Sequence, residues 1–313
     1  MDEFFLIDTC FKPLAHNFPG SLNLTDDAAI IAVPPGHELV TTTDAISEGV
    51  HFIGNEDAAL IAKKLLRVNL SDLAAMGAKP LCYVLTIMLP KNTKAAWVKR
   101  FARGLAEDQK LFRIHLAGGD TVSTRGTKSF SITAFGTVAK GKSLKRSSAK
   151  TGDSIYVSGT LGDSALGLRF RNNAFLFKRY LLPEPRLALG QKLVGTANAC
   201  MDISDGLVQD LGHICRASKA GAKLYRDKLP LSQAAQKLIK KDQKLWELVL
   251  GGGDDYELLF TVPASKKAAL KKLSAALKLP LTEIGTITKG KEVKVLDENG
   301  KMLKLKRKGF QHF

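Results

Sequence analysis

The 313-residue sequence predicts an α+β protein of two domains. Three observations carry this. Strand-like and helix-period segments alternate over the first 140 residues in the order β-β-α-β-α-β-β. A polar, basic stretch rich in small residues, "AKGKSLKRSSAKTGD" (139–153), then breaks the pattern as a linker or surface loop. A second series of strands and helices follows it. The expected domains are 1–139 and 140–313.

The elements justify themselves in order. "AAIIAV" (28–33) and "ELVTTTDAI" (38–46) read as two strands joined by a "PPGH" turn, where proline and glycine punctuate two apolar runs. Glu56 to Ala78 is a helical pattern stopped by "GAKP". "LCYVLTIML" (81–89) is a near-continuous apolar strand. Residues 92–112 form a helix with Asn92 or Thr93 as cap. "RIHLAGGDT" (113–121) and "SFSITAFGTV" (129–138) are strand-like. Beyond the linker, "SIYVSG" is a strand and "LGDSALGLRFRNNAFLFKRYL" begins helices that continue through "PRLALGQKLVG". "ACMDIS" is a short strand before the helix "DGLVQDLGHICRAS". "YELLFTVP" (256–263) opens a closing set of strand, helix and strands.

Composition narrows the class. Hydrophobic residues make up 45% and charged residues 25%, as in a globular protein with a proper core. The first residues lack the apolar core of a secretory signal and are too acidic for a transit peptide, and no apolar run spans a bilayer. A cytoplasmic location with no membrane partner is expected. Cys10, Cys82, Cys200 and Cys215 lie far apart in no metal-ligand spacing, so buried thiols are expected. The net charge of +17 raises nucleic-acid binding, but residues 1–62 hold ten acids against Lys12 alone. The lysines of "SKKAALKKLSAALK" suit a solvated helix face, and no binding module accompanies them, so no specific nucleic-acid partner is expected.

The unusual feature is a recurrence of aspartates at element ends: Asp26 and Asp27, Asp44, Asp72, Asp120, Asp202 and Asp205, Asp254 and Asp255. Singly, several have ordinary uses. Asp205 suits a helix N-cap, Asp120 a turn, and Asp254 a turn acid. Asp72 resists such a reading, because it interrupts an apolar helix where aspartate is a poor helix former and a buried charge is costly. Convergent acids without Cys or His partners suit Mg²⁺, and Mg²⁺ suggests phosphates. No Walker loop, kinase signature or nucleophile elbow is present. Phosphate contacts would come from Gly118–Gly119, Thr42, Thr43 and Arg146.

Together, "DDAA", "TTDAISEGVHF", "VNLSDLAAMGAKP", "GGDT", "RSSAKTGD", "GTLGDSALGL", "MDISDGLVQDLGHI" and "GGDDYELLF", in this order over almost the whole chain, resemble the thiamine-monophosphate kinase family. That family belongs to the aminoimidazole-ribonucleotide-synthetase-like ATP-binding superfamily. The resemblance implies a four-stranded N-terminal α/β domain whose sheets pair into a barrel in a homodimer. It also implies a C-terminal α/β domain with a mixed sheet, and ATP with several Mg²⁺ ions in the cleft between domains. Carried over by position, Asp27, Thr42, Thr43, Asp44, Asp72, Asp120, Asp202 and Asp205 match metal-site residues. Gly119, Asp120, Arg146 and Ser204 match ATP contacts. His51 and Asp254 match thiamine-phosphate contacts, and Arg307 stands where the family commonly has a substrate-stacking aromatic residue. "NLTDDAA" also departs from the family's "GIGDDAA", which removes two glycines before the acid pair.

The reaction so implied is transfer of the ATP γ-phosphoryl group to thiamine monophosphate, giving thiamine diphosphate. No catalytic base is expected, since a phosphate monoester has a second pKa near ~6 and is already largely ionised at pH 7. Two alternatives stand beside this reading. One is another ATP-dependent enzyme of the superfamily, such as a selenophosphate or aminoimidazole-ribonucleotide synthetase. The other is a basic nucleic-acid-binding protein.

Overall fold

The computed structural model describes residues 3–307 together with Gly309 and Phe310. Asp2 of the N-terminal block and the last three residues of the "GFQHF" ending fall outside the described residues. The chain divides into two compact units, Met1–Leu73 with Ala78–Gly141, and Ala74–Gly77 with Lys142–Phe313.

The first unit opens with short helices α1 (Glu3–Leu6) and α2 (Lys12–Ala15), joined by a π-helical turn. Its sheet consists of β1 (His37–Ser47), β2 (Lys79–Pro90), β3 (His115–Thr124) and β4 (Ser129–Ala139), in the spatial order β1-β4-β2-β3. Only the β2–β3 pair is parallel. Helices α3 (Ala58–Ala75) and α4 (Ala95–Phe112) complete it. Strand alternation sorts the side chains. Phe130, Ile132, Ala134, Leu85 and Ile87 are buried, while Ser131, Thr133, Thr86 and Met88 on the opposite face stay part-exposed. On the buried side Phe101 stacks against Phe130 and Trp97 with ring centroids 4.8 and 5.5 Å away. Gly104 lets α4 approach the Ala59 backbone so closely that a Cβ would stand 2.4 Å from its carbonyl oxygen. Arg67 of α3 grips Asp108 of α4 through two nitrogens, at 2.6 and 2.9 Å.

Two expectations fail in this unit. Residues 28–33 form no strand: the Ile30 N–H donates to Gly20 O, and Ile30 and Val33 are 65% and 37% exposed. Apolarity favours a strand only where a sheet edge accepts its backbone groups, and no described strand pairs with this run. Nor does Asn92 or Thr93 cap α4. The cap position is Lys94, without a side-chain bond, and the helix instead packs an apolar face through Val98, Phe101 and Leu105.

The second unit holds a six-stranded mixed sheet, order β10-β7-β9-β5-β8-β6. Its strands are β5 (Ser154–Ser158), β6 (Ala199–Asp202), β7 (Gly221–Tyr225), β8 (Leu258–Val262), β9 (Leu281–Thr288) and β10 (Val293–Leu296). Around it run α5 (Asp163–Arg169), α6 (Ala174–Leu181), α7 (Leu187–Leu193), α8 (Leu207–Ser218), α9 (Gln233–Lys241), α10 (Trp246–Gly251) and α11 (Lys267–Leu277). β5, β6 and β8 are buried at every position, which suits their mostly apolar sequences; the polar exceptions are Ser154, Ser158, Asp202 and Thr261. The segment 139–153 is anchored here through buried Leu144 and Ala149. The four cysteines are buried free thiols.

Candidate functional site

In the first unit the predicted acids fall into two groups at opposite edges of the sheet. At the β1 edge, Thr42 Oγ1 donates to Asp72 Oδ2 of α3, and the Asp44 N–H donates to Asn69 Oδ1 at 3.0 Å. A polar pair in α3 thus fastens the "TTTDA" strand. Thr43 lies on the other side of β1, where its hydroxyl bonds Ile132 O and the Thr133 hydroxyl at 3.1 Å each. His51 serves the following turn, its Nδ1 accepting the Ser47 N–H at 3.1 Å.

At the β3 edge is a pocket of about 400 Å³. Val84, Leu85, Ile87, Leu116 and Ala117 give it apolar walls, and Asp26, Asp27, Gly119 and Asp120 also line it. Gly119 is fixed by sterics, since a Cβ would stand 2.0 Å from Leu85 O across the parallel pair. With Glu3, four carboxylates line this pocket and no lysine, arginine or histidine does, among the described residues. The pocket is reached after a backbone turn in which Leu22, Asn23 and Leu24 all take positive φ, from 50° to 56°. Two of these, Asn23 and Leu24, lie where the resemblance would put "GI"; asparagine tolerates that region, whereas a leucine there costs about 1–2 kcal/mol. Register runs Asp44–Ile132–Leu85–Gly119 across the sheet, so three strand spacings separate the two acid groups, roughly 14 Å.

In the second unit the loop that carries Ser204 and Asp205, directly after Asp202, is bonded to the segment that carries Asp254. Asp202 closes β6 and is buried. The loop after it is laced to residues 253–256: the Asp254 N–H donates to Ser204 O and the Tyr256 N–H to Ile203 O, both at 2.8 Å. Asp254 and Tyr256 adopt φ of 61° and 51°, and the Tyr256 hydroxyl bonds Asp254 Oδ1 at 3.1 Å. Asp205 does not cap α8. Gly206 holds the cap position, at φ 130°, and Asp210 turns back from inside the helix to accept the Asp205 and Gly206 N–H groups at 3.1 and 3.0 Å.

Asp210 and His213 join Asp205 in a cluster whose ligand atoms all lie within 4.8 Å. Sequence reading missed both, although "DLGHI" puts them three apart on one helix face. Burial pushes the Asp210 carboxyl up to about 7; the nearby Asp205 charge adds to this, while the Gly206 N–H, the Asp205 N–H and Arg146 oppose it. Burial lowers the His213 pKa, with Arg216 and Arg146 adding to the effect. Arg216 donates to His213 Nδ1 at 2.9 Å, so the neutral ring carries its proton on Nε2 and presents a donor there. Arg146, in a turn whose carbonyl accepts the Ser218 hydroxyl at 2.8 Å, places its charge beside these groups. Arg307 is exposed in the C-terminal tail, which returns to this loop where the Phe310 N–H donates to Asp205 O.

Elsewhere in this unit a separate group of acids is fully enclosed. Glu257 is gripped by Arg179 and Arg186 and accepts the Ser158 hydroxyl, while Asp163 accepts from Thr160 and Ser232. Asp255 receives the Gly162 N–H on both oxygens, at 2.8 and 3.0 Å. No helix among the described residues is long and apolar enough to cross a membrane.

Residues 25–138 match the family described as AIR synthase related protein, N-terminal domain, and residues 150–298 match its C-terminal domain. The thiamine-monophosphate kinase of Escherichia coli K12 is 41% identical, over 99% of this chain and 98% of its own. The crystal structure of thiamine-monophosphate kinase from Stenotrophomonas maltophilia K279a is 40% identical with a TM-score of 0.82, covering 90% of this chain and 91% of that one. The structure of AaThiL complexed with AMPPCP and TMP is 33% identical with a TM-score of 0.79, covering 99% and 97%. The chain belongs to the thiamine-monophosphate kinase family, within the AIR synthase related proteins.

Proposed function

We propose that this chain transfers the γ-phosphoryl group of ATP to thiamine monophosphate, as an Mg²⁺-dependent homodimer. The observation that carries the reading is a set of carboxylates, Asp26, Asp27 and Asp120, with no cation among the described residues that line their pocket, whose glycine wall is fixed by sterics. Oxygen donors of this kind, with no thiolate among them, fit Mg²⁺. Asp27, Asp44, Asp72, Asp120, Asp202 and Asp205, with the Thr42 and Thr43 hydroxyls, are its ligands or their orienting partners in this proposal. When bound, magnesium offsets the repulsion of two polyanions, which at 4 Å is about 4 kcal/mol per unit-charge pair at an effective dielectric of 20.

The side chains do the rest. Arg146 and the Nε2–H of His213 offer positive charge and a donor to phosphate oxygens. Asp254, set on a left-handed backbone and bonded to Tyr256, meets the cationic substrate, and His51 and Arg307 are assigned as its further contacts on the family resemblance alone. No residue removes a proton, because the acceptor phosphate arrives ionised. The dimer has its own support. Asp44 and Asp120 lie at opposite edges of one sheet, and one face of that sheet is part-exposed. Closing two such sheets into a barrel brings edges of two protomers together, so that one copy completes the other's acid set.

Incubation with ATP, Mg²⁺ and thiamine monophosphate should yield thiamine diphosphate and ADP, and chelation of the metal should abolish it. Turnover with a different acceptor, or none with thiamine monophosphate, would overturn the assignment.

A further inference from the structure

The Gln209 side chain, on the first turn of α8, does two things at once. Its Nε2 donates to Asp205 Oδ2 at 3.0 Å and to Phe310 O at 2.9 Å. A carboxamide nitrogen carries two hydrogens, so neither bond competes with the other. The backbone closes the same loop, because the Phe310 N–H donates to Asp205 O at 2.9 Å. Gly309 lies flat on this side chain: a Cβ there would stand 2.5–2.7 Å from Gln209 Cβ, Oε1 and Cδ. The preceding tail is already fixed, the Leu303 N–H bonded to Val295 O and Leu303 and Leu305 packed on the core. What Gln209 holds is therefore the last descent of the chain onto the Asp205 loop.

We propose that Gln209 is a positioning residue that makes docking of the C-terminal tail and orientation of the Asp205 carboxylate a single event. This deepens, and rests on, the reading of Asp205 as a magnesium ligand. By occupying one of the roughly four lone-pair sites of the carboxylate, Gln209 fixes its plane. A cation that favours that orientation favours the docked tail, and by reciprocity the docked tail favours the cation. A glutamine that merely anchored the tail would loosen it when removed without altering the metal requirement.

The test uses the full chain, Gln209→Leu, a variant ending at Arg307, and the two changes combined. Gln209→Leu should raise the Mg²⁺ concentration for half-maximal ATP turnover about 10-fold, the size usual for groups that orient a metal ligand. Turnover at saturating Mg²⁺ should change far less. The shortened chain should show the same shift, and the double variant no further one. Amide exchange at 309–310 should slow on adding Mg²⁺ in the parent chain and not in Gln209→Leu. Additive shifts, an unchanged Mg²⁺ requirement, or tail exchange indifferent to Gln209 would each overturn the coupling. The exchange measurement, with Mg²⁺ alone, needs no turnover. If the parent chain lacked kinase activity, the function would fail while the tail coupling was still decided.

Discussion

Glu257 and Asp163 lie fully buried in the second unit, while Asp27 and Asp120 lie exposed at one edge of the first. Around Glu257 the protein has gathered Arg179, Arg186 and the Ser158 hydroxyl, and Gly159 leaves room for its carboxylate, where a Cβ would stand 2.3 Å from Oε1. Around Asp27 and Asp120 it has placed glycine, alanine and valine, but no cation among the pocket-lining residues. The same functional group has been given protein partners in one place and none among the pocket-lining residues in the other. A buried carboxylate must be paired by the fold, because nothing else will reach it. An exposed group of like charges gains nothing for the fold, and its arrangement makes sense for a cation brought from outside.

The sharpest way to break this contrast is to neutralise both kinds. Asp27→Asn and Asp120→Asn should each lower kcat/KM by about 10³-fold, the several kcal/mol that metal-held charge contributes to phosphoryl transfer. Stability to urea should hold or rise, since like charges are thinned. Glu257→Leu should do the reverse. Taking the buried anion from between Arg179 and Arg186, and leaving them only Glu184 and the more distant Asp163, should cost about 3 kcal/mol in a urea titration, with KM for ATP unchanged in the fraction that folds. A destabilised, active Asp120→Asn would erase the distinction between the two groups.

That distinction was half visible in the sequence. The acids announce themselves because aspartate is costly within apolar runs such as "VNLSDLAAM", and most strands and helices follow from period alone. What period cannot give is the partner. "AAIIAV" has strand composition but finds no described strand to pair with, and "GGGDDY" shows no sign that it will bond to Ile203 and Ser204 some 50 positions earlier. Nothing in the helical run "DGLVQDLGHI" marks Asp210, yet it folds back to hold the N–H groups at its own helix start. Glu257 reads as a strand-entry residue in "YELLF", because its arginines lie more than 70 residues upstream. Positive φ at Leu22, Asn23 and Leu24 has no local signal either, since only glycine adopts that region without cost.

The smallest expected effect sharpens the buried side of the comparison, through Asp255. Burial pushes this carboxyl up to about 8, and the Asp163 and Glu257 charges add to that, against the Gly162 N–H and Arg179. Its ordinary value is 3.8, so between about pH 4 and pH 8 the native chain keeps a proton that the unfolded chain has released. The native state is then the one that binds more protons, and stability falls as pH rises through that window, by at most about 1.4 kcal/mol per pH unit. Asp255→Asn keeps an oxygen for the Gly162 N–H and removes the titration. Relative to the variant, the parent chain should lose about 1.4 kcal/mol between pH 6 and pH 7 in urea titrations at the two pH values. Parallel pH profiles would mean that Asp255 is already ionised in the native state, held by Arg179.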